Sequence, residues 1–177
     1  MRNGWLSHEE WLKTQDARIA SAALLIENPA GELLVVKAYY KTHWSLPGGM
    51  VDAGETPLQA VLRETREEVG LVVTDDEVSF FAVASRSSEK GLAHQYVFRA
   101  VLDDERLERI VLQQSEIDAY QFLSRDAVLA SNEGFAWSIP HWAHHRPGGY
   151  VETQIVDSDD KRQEAVTQFV GFSSWEK

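Results

Sequence analysis

Hydrophobic and polar positions change period several times along the chain, and each change predicts an element. Arg18–Ile26 (RIASAALLI) is apolar on both alternating faces, the pattern of a strand buried on two sides. Asn28-Pro29-Ala30-Gly31 is a turn signal and Leu33–Lys37 (LLVVK) returns as a second strand, so the two predict a hairpin. Val78–Ala84 reads as a strand, the polar run Ser85–Gly91 as a loop, and His94–Leu102 as a strand with Tyr96, Phe98, Ala100 and Leu102 on one apolar face. Asp103–Glu108 is a charged connection, Ile117–Leu123 a further strand, and Ser124 an N-cap for a helix over Arg125–Ala130. Upstream, Ser7 and Glu10 have capping-box spacing and predict a short helix over Ser7–Gln15, placed to pack across the domain or build a dimer. In the tail, Trp137–Arg146 is aromatic and His-rich, and Pro147-Gly148-Gly149 breaks the chain. Tyr150–Val156 predicts a strand and Ser158 the start of a helix. Strands and helices mix without strict βαβ alternation, which predicts an α/β sandwich: a mixed β-sheet with helices on both faces. The expected organisation is an N-terminal helical extension over 1–17, a central domain over 18–131, and a C-terminal extension over 132–177 packed on that domain.

One stretch, Trp44–Leu71, has a helical period. Thr56 is placed as N-cap, Pro57 at the first helical position, Gln59 at the capping-box position and Gly70 as the stop. Leu58, Val61, Leu62, Thr65 and Val69 mark the buried face. Glu64, Glu67 and Glu68 stand at i, i+3 and i+4 beside that face. Such crowding costs an isolated helix a few tenths of a kcal/mol per pair, roughly, and a multivalent cation reverses the sign. Hard oxygen ligands in that geometry suit Mg²⁺, with Mn²⁺ as an alternative. Just upstream, Pro47-Gly48-Gly49 can bring bare backbone close to a ligand. A solvated amphipathic helix accounts for an acidic triplet alone, but not for the glycine loop, Glu55 and Arg63 as well.

Composition narrows the use of such a site. The chain has 177 residues, 44% of them hydrophobic, and carries 28 acidic against 17 basic residues for a net charge of −11. That balance, with no Lys/Arg run, argues against a nucleic-acid polymer as partner. It leaves small phosphate esters open, because a bound metal supplies local positive charge. Cysteine is absent, which excludes disulfides, thiolate zinc and a cysteine nucleophile. No signal-peptide pattern opens the chain and no apolar run reaches membrane-span length, so a cytoplasmic protein with no membrane partner is the expectation.

Gly49-x5-Glu55-x7-Arg63-Glu64-Thr65-x-Glu67-Glu68-x-Gly70-Leu71 resembles the Nudix box, GX5EX7REUXEEXGU with U apolar, with every fixed residue in place over 23 positions. Thr65 stands where the pattern has an apolar residue, a change expected to affect packing modestly and leave the chemistry intact. The wider resemblance, including the Trp44-to-Gly49 lead-in, covers roughly Arg18–Ala130. It implies a Nudix fold and Mg²⁺-dependent hydrolysis of the diphosphate bond of a nucleoside diphosphate linked to another moiety. By position it implies Gly48, Glu64, Glu67 and Glu68 as metal ligands and Glu64 as a general base in some members. It also implies Glu55 and Arg63 as a supporting ion pair that holds the loop on the helix. A different class, a non-catalytic Nudix-fold nucleotide-binding or regulatory module, is disfavoured by the complete carboxylate set. The related isoprenoid diphosphate isomerase activity is disfavoured by the lack of cysteine. Past the box, Ala84–Ser88 shows neither the proline of ADP-ribose enzymes nor the tyrosine of dinucleoside polyphosphate enzymes. The coenzyme A motif is also missing, so ADP-ribose, nucleotide sugars and nucleoside triphosphates stay open.

Outside the box the candidates are weaker. Glu116, just before a predicted strand, is a further metal ligand or catalytic base by the same resemblance, against a plain surface role. Tyr39 and Tyr40 could stack on a base, Trp44 suits the core, and Phe135 and Trp137 are more remote stacking candidates. Arg86 and Lys90 could meet a phosphate, against ordinary solvated charges. His141, His144 and His145 have spacing compatible with a metal, but no acidic or Cys partner stands near; surface or pocket-lining roles fit them better.

Overall fold

The computed structural model describes residues 6–15, 18–89, 91–158 and 161–171. Its frame is an eight-stranded mixed sheet. Five of the strands are β1 (Ile19–Glu27), β2 (Leu33–Ala38), β3 (Gly48–Met50), β4 (Ser79–Ser88) and β5 (Gly91–Val101). The others are β6 (Ile117–Leu123), β7 (Gly149–Ser158) and β8 (Lys161–Gly171). The order is β6-β2-β1-β5-β4-β7-β8, with β3 paired to β1. β1 runs parallel to β5 and β4 parallel to β7; the other pairings are antiparallel.

β1 is central because it is buried on both faces, as its unbroken apolar run requires. Its even-numbered residues Ala22, Leu24 and Ile26 pack under the helix α2 (Pro57–Val69) with Ala60, Val61 and Val69. Its odd-numbered residues Ala23 and Leu25 pack with Val97 and Val151 under the short helices α4 (Arg125–Ala130) and α5 (Ser138–Ala143), through Val128, Ile139 and Trp142. Helices therefore cover both faces, and two cores share one sheet. Trp44 and Phe135 are bridged to each other and packed against the second core. Two other short helices, α1 (His8–Leu12) and α3 (Asp104–Leu107), complete the set, and α1 starts at the Ser7/Glu10 capping box.

The structure departs from the pattern reading in four places. The expected β1–β2 hairpin pairs only at Glu27↔Leu33, because β3 occupies the same edge of β1 at Ser21–Ala23. The glycine loop is thus itself a short strand. The polar run after Ala84 continues β4 to Ser88, since β5 begins at Gly91 and pairs with it residue for residue. Beyond Ser158 the chain returns as β8, antiparallel to β7 and not as a helix. Among the described residues no helix is long and apolar enough to cross a membrane.

Candidate active site

The site forms where β2 parts from β1 and the segment before α2 fills the gap. Val36 and Ser45 bridge the strand ends, and the Leu24 N–H donates to the Pro47 carbonyl at 2.9 Å. Gly48 then lies against β1 with φ 146°, and a Cβ there would sit 2.2 Å from the Ala22 carbonyl oxygen. Only glycine permits that approach. At Gly49 a Cβ would sit 2.5 Å from Glu64 Oε1, so the second glycine leaves the Glu64 carboxylate its place.

α2 delivers the acidic side chains at defined depths. Thr56 and Gln59 form the reciprocal capping box, Pro57 opens the helix, and Gly70 ends it at φ 72°. Glu68 faces inward and is only 2% exposed. Its Oε2 accepts one backbone hydrogen bond, from Gly48 N at 2.8 Å. Burial pushes its carboxyl up to about 7, and Glu64 and Glu116 add to that, while the Gly48 N–H and Lys41 act against it. Glu64 is mostly buried, and burial raises its carboxyl in spite of the adjacent Arg63. Glu67 is more exposed.

Arg63 organises the rim. Its Nε and Nη2 hold Glu55 in a two-pronged pair at 3.0 and 3.0 Å, and Nη2 also donates to the Met50 carbonyl at 3.1 Å. Its Nη1 reaches Glu64 at 2.8 Å and Glu67 at 3.1 Å. The Arg63 hydrogen bond holds the Glu55 carboxyl below its ordinary range, and the same carboxylates push the guanidinium up. One cation thus ties the loop to the helix and shares its charge among four carboxylates, with Asp52 3.7 Å from Nη2.

A cavity of about 550 Å³ opens above this element, with Gly48, Gly49, Glu64, Glu116, Tyr40 and Arg86 in its wall. Tyr40 donates its hydroxyl to Glu116 Oε1 at 2.9 Å, and burial together with Glu116 pushes the phenol up to about 12. Tyr39 is 66% exposed and packs edge-to-face on Tyr40 instead of forming wall. Arg86 reaches the cavity but is engaged by Glu164 of β8, at 2.7 Å from Nε and 2.8 Å from Nη2. Lys90 lies outside the described residues.

Among the described residues, no three acidic or imidazole side chains converge as a closed cation cage. What the geometry does offer is oxygen: Glu68 on the Gly48 N–H, Glu64 beside Gly49, and Glu116 in the wall of the same cavity as Glu64. That donor set fits a hard divalent cation.

The histidine cluster serves a different purpose. His141 is 2% exposed, ringed by Phe81, Trp137 and Phe169, with Nε2 3.1 Å from the Pro147 carbonyl. Burial lowers its basicity, and Nδ1 has no partner. It is a core residue, neither at the surface nor in the pocket. His144 and His145 are exposed.

Pattern reading missed Glu164 behind Arg86 and Gln95, which lines the cavity and accepts from Trp137 Nε1 at 2.7 Å. Neither carries a local signal, because both partners are more than 40 residues away.

A model of the NUDIX domain matches residues 17–153. An RNA pyrophosphohydrolase of Actinobacillus succinogenes is 29% identical over 158 residues, 86% of this chain and 74% of that protein. An RNA pyrophosphohydrolase of Francisella tularensis subsp. mediasiatica is 42% identical over 59 residues, 33% of this chain and 38% of that protein, so this match spans well under two thirds of the relative. The NUDIX domain of Shewanella oneidensis NrtR, solved with ADP ribose, shares the fold. Its TM-score is 0.61 over 78% of this chain and 96% of that one, at 16% identity.

Proposed function

The chain belongs to the Nudix family, and on that premise we propose that it is a divalent-cation-dependent pyrophosphohydrolase. It cleaves the diphosphate bond of a nucleoside diphosphate linked to another moiety. The observation that carries this reading is Glu68, a buried carboxylate with one backbone hydrogen bond, set beside Glu64 and Glu116 at the cavity.

Glu64, Glu68 and the Gly48 backbone would hold Mg²⁺ or Mn²⁺, with Glu67 at the outer rim. Bound there, the cation neutralises the diphosphate and polarises a phosphoryl oxygen. The protein's own part is positioning and proton transfer. Glu116 orients the attacking water and takes its proton, and the Tyr40 hydroxyl at 2.9 Å fixes the carboxylate for that task. Glu55 and Arg63 keep the glycine segment seated on α2, so that Glu64 and Glu68 stay aligned. The exposed Tyr40 ring offers a face to a base, and the cavity volume lies in the range of small-molecule sites, about 300–1,000 Å³.

ADP-ribose, nucleotide sugars and nucleoside triphosphates are the candidate substrates. The names of the curated relatives, RNA pyrophosphohydrolases, add RNA. The net charge of −11 works against holding a long phosphodiester chain, which favours a small substrate. The test is a phosphate-release screen with Mg²⁺ over these classes, a 5′-triphosphorylated oligoribonucleotide included, with Glu68→Gln as control. Turnover of at least one class by wild type and its loss in the variant is the expected result. Equal signal from both proteins, or none from either, refutes the reading. Within the site, Glu116→Gln is expected to lower kcat by about 10²–10⁴-fold with KM little changed.

A further inference from the structure

A second cavity, of about 310 Å³, opens on the same sheet face but further along the strands. Arg99 in its wall lies four residues along β5 from Gln95, which lines the first cavity. The wall also holds Phe81, Arg125, Trp142, His145 and Arg146. Three guanidinium groups and an imidazole therefore meet around one concavity, in a chain whose net charge is −11.

One carboxylate answers them. Glu27 is 4% exposed and accepts from Arg99 Nε at 2.5 Å, from Arg125 Nη2 at 3.2 Å and from Trp142 Nε1 at 2.9 Å. Among the described residues it is the only acidic side chain recorded in an ion pair with any of the three arginines. Arg125 is fixed further, lying 4.1 Å over the Trp142 ring and donating Nη1 to the Trp142 carbonyl. Arg146 is exposed, and among the described residues no carboxylate forms an ion pair with it. The turn that carries it to the rim passes through His145 in a left-handed conformation, φ 54°. Among the described residues, three guanidinium charges in the wall meet one carboxylate, an excess of two positive charges.

We propose that this cavity is a second ligand site, one that binds the phosphate group of a small molecule. Guanidinium forks match phosphate oxygens in shape and charge, and Arg125 is pre-ordered by its contacts with Glu27 and Trp142. Phe81 and Trp142 give the cavity apolar wall, which shields the contact from water. The site shares no residue with the Nudix box, and its own guanidinium groups supply the positive charge that a phosphate needs.

The phosphate could be free or carried on a nucleoside, and calorimetric titration of the full chain in a divalent-free buffer separates the two. The probes are inorganic phosphate, inorganic pyrophosphate and AMP. Wild type and Glu68→Gln are expected to show the same saturable binding, at one stoichiometric site, for at least one probe. Arg146→Ala and Arg99→Gln are expected to weaken it about tenfold each, the effect of losing one charge-assisted contact. Circular dichroism verifies that each variant is folded. Preference for AMP over both inorganic anions identifies a nucleotide as the source, and the reverse preference a free phosphate. Absence of saturable binding by wild type up to roughly 10 mM overturns the proposal. So does binding that falls in Glu68→Gln while both arginine variants keep it. Because nothing in the assay turns over, its failure leaves the hydrolase reading untouched.

Discussion

Two glutamates, Glu68 on α2 and Glu27 at the end of β1, are almost equally buried: Glu68 is 2% exposed and Glu27 4%. Their surroundings are opposite. Glu27 is met by two guanidinium groups and an indole N–H, so its charge is answered within the fold. Glu68 accepts one backbone N–H and feels a single cation, Lys41, while two further carboxylates, Glu64 and Glu116, act on it as well. Burial costs a carboxylate several kcal/mol, roughly, unless partners offset it. The first glutamate therefore belongs to the structure. At the second, burial and the neighbouring carboxylates outweigh the Gly48 N–H and Lys41, so its carboxyl stays raised, and an added cation would relieve that imbalance.

The contrast yields predictions of falling size. Glu68→Gln should lower turnover about 10³-fold, near 4 kcal/mol in barrier, because it removes a ligand to the charge that stabilises the transition state. Its metal-free stability should be unchanged or higher, which urea unfolding measures. Glu27→Gln should do the reverse. It should cost about 3 kcal/mol of stability by leaving two arginines without their carboxylate, seen as a lower urea midpoint at unchanged slope, with turnover retained in the folded protein.

The pH response of the metal-free protein comes next. The Glu68 carboxyl is raised to about 7 from its ordinary value of 4.5, so the folded state binds more protons than the unfolded state in that interval. The stability that this group contributes is fully present below pH 4.5 and is lost, by about 2–3 kcal/mol, as pH rises through 7. Glu68→Gln should abolish that loss, and a saturating divalent cation should reverse it. A smaller effect concerns Thr65, fully buried with its hydroxyl unpaired. Thr65→Val keeps the volume and removes the orphan group, so it should raise stability by about 1 kcal/mol with turnover unaltered.

The legible parts of this molecule were those fixed by neighbours in sequence. The limits of α2 follow from Thr56, Pro57, Gln59 and Gly70, and those of β6 and α4 from apolar alternation and the Ser124 cap. That Glu64 and Glu68 stand beside Gly49 and Gly48 was implied by the likeness to the Nudix box and not by local pattern. Glu68 is deeper than its position beside the apolar stripe suggested, 2% exposed against the Gly48 N–H of the glycine segment. What escaped pattern reading depends on distant partners. Ser85–Ser88 is polar, yet extended because β5 lies beside it. β8 has a helix-compatible composition, yet pairs along β7 and supplies Glu164 to Arg86. Glu27 closes a strand that otherwise reads as core, and its three donors come from residues 99, 125 and 142.

The central claim is that the imbalance at Glu68 is relieved by a divalent cation, whereas Glu27 needs none. Mn²⁺ binding followed by electron paramagnetic resonance tests it directly, on wild type, Glu68→Gln and Glu27→Gln near neutral pH at a temperature where all three are folded. The account predicts saturable binding by wild type and Glu27→Gln and a loss of at least about tenfold in affinity in Glu68→Gln. Equal Mn²⁺ affinity in wild type and Glu68→Gln would contradict it.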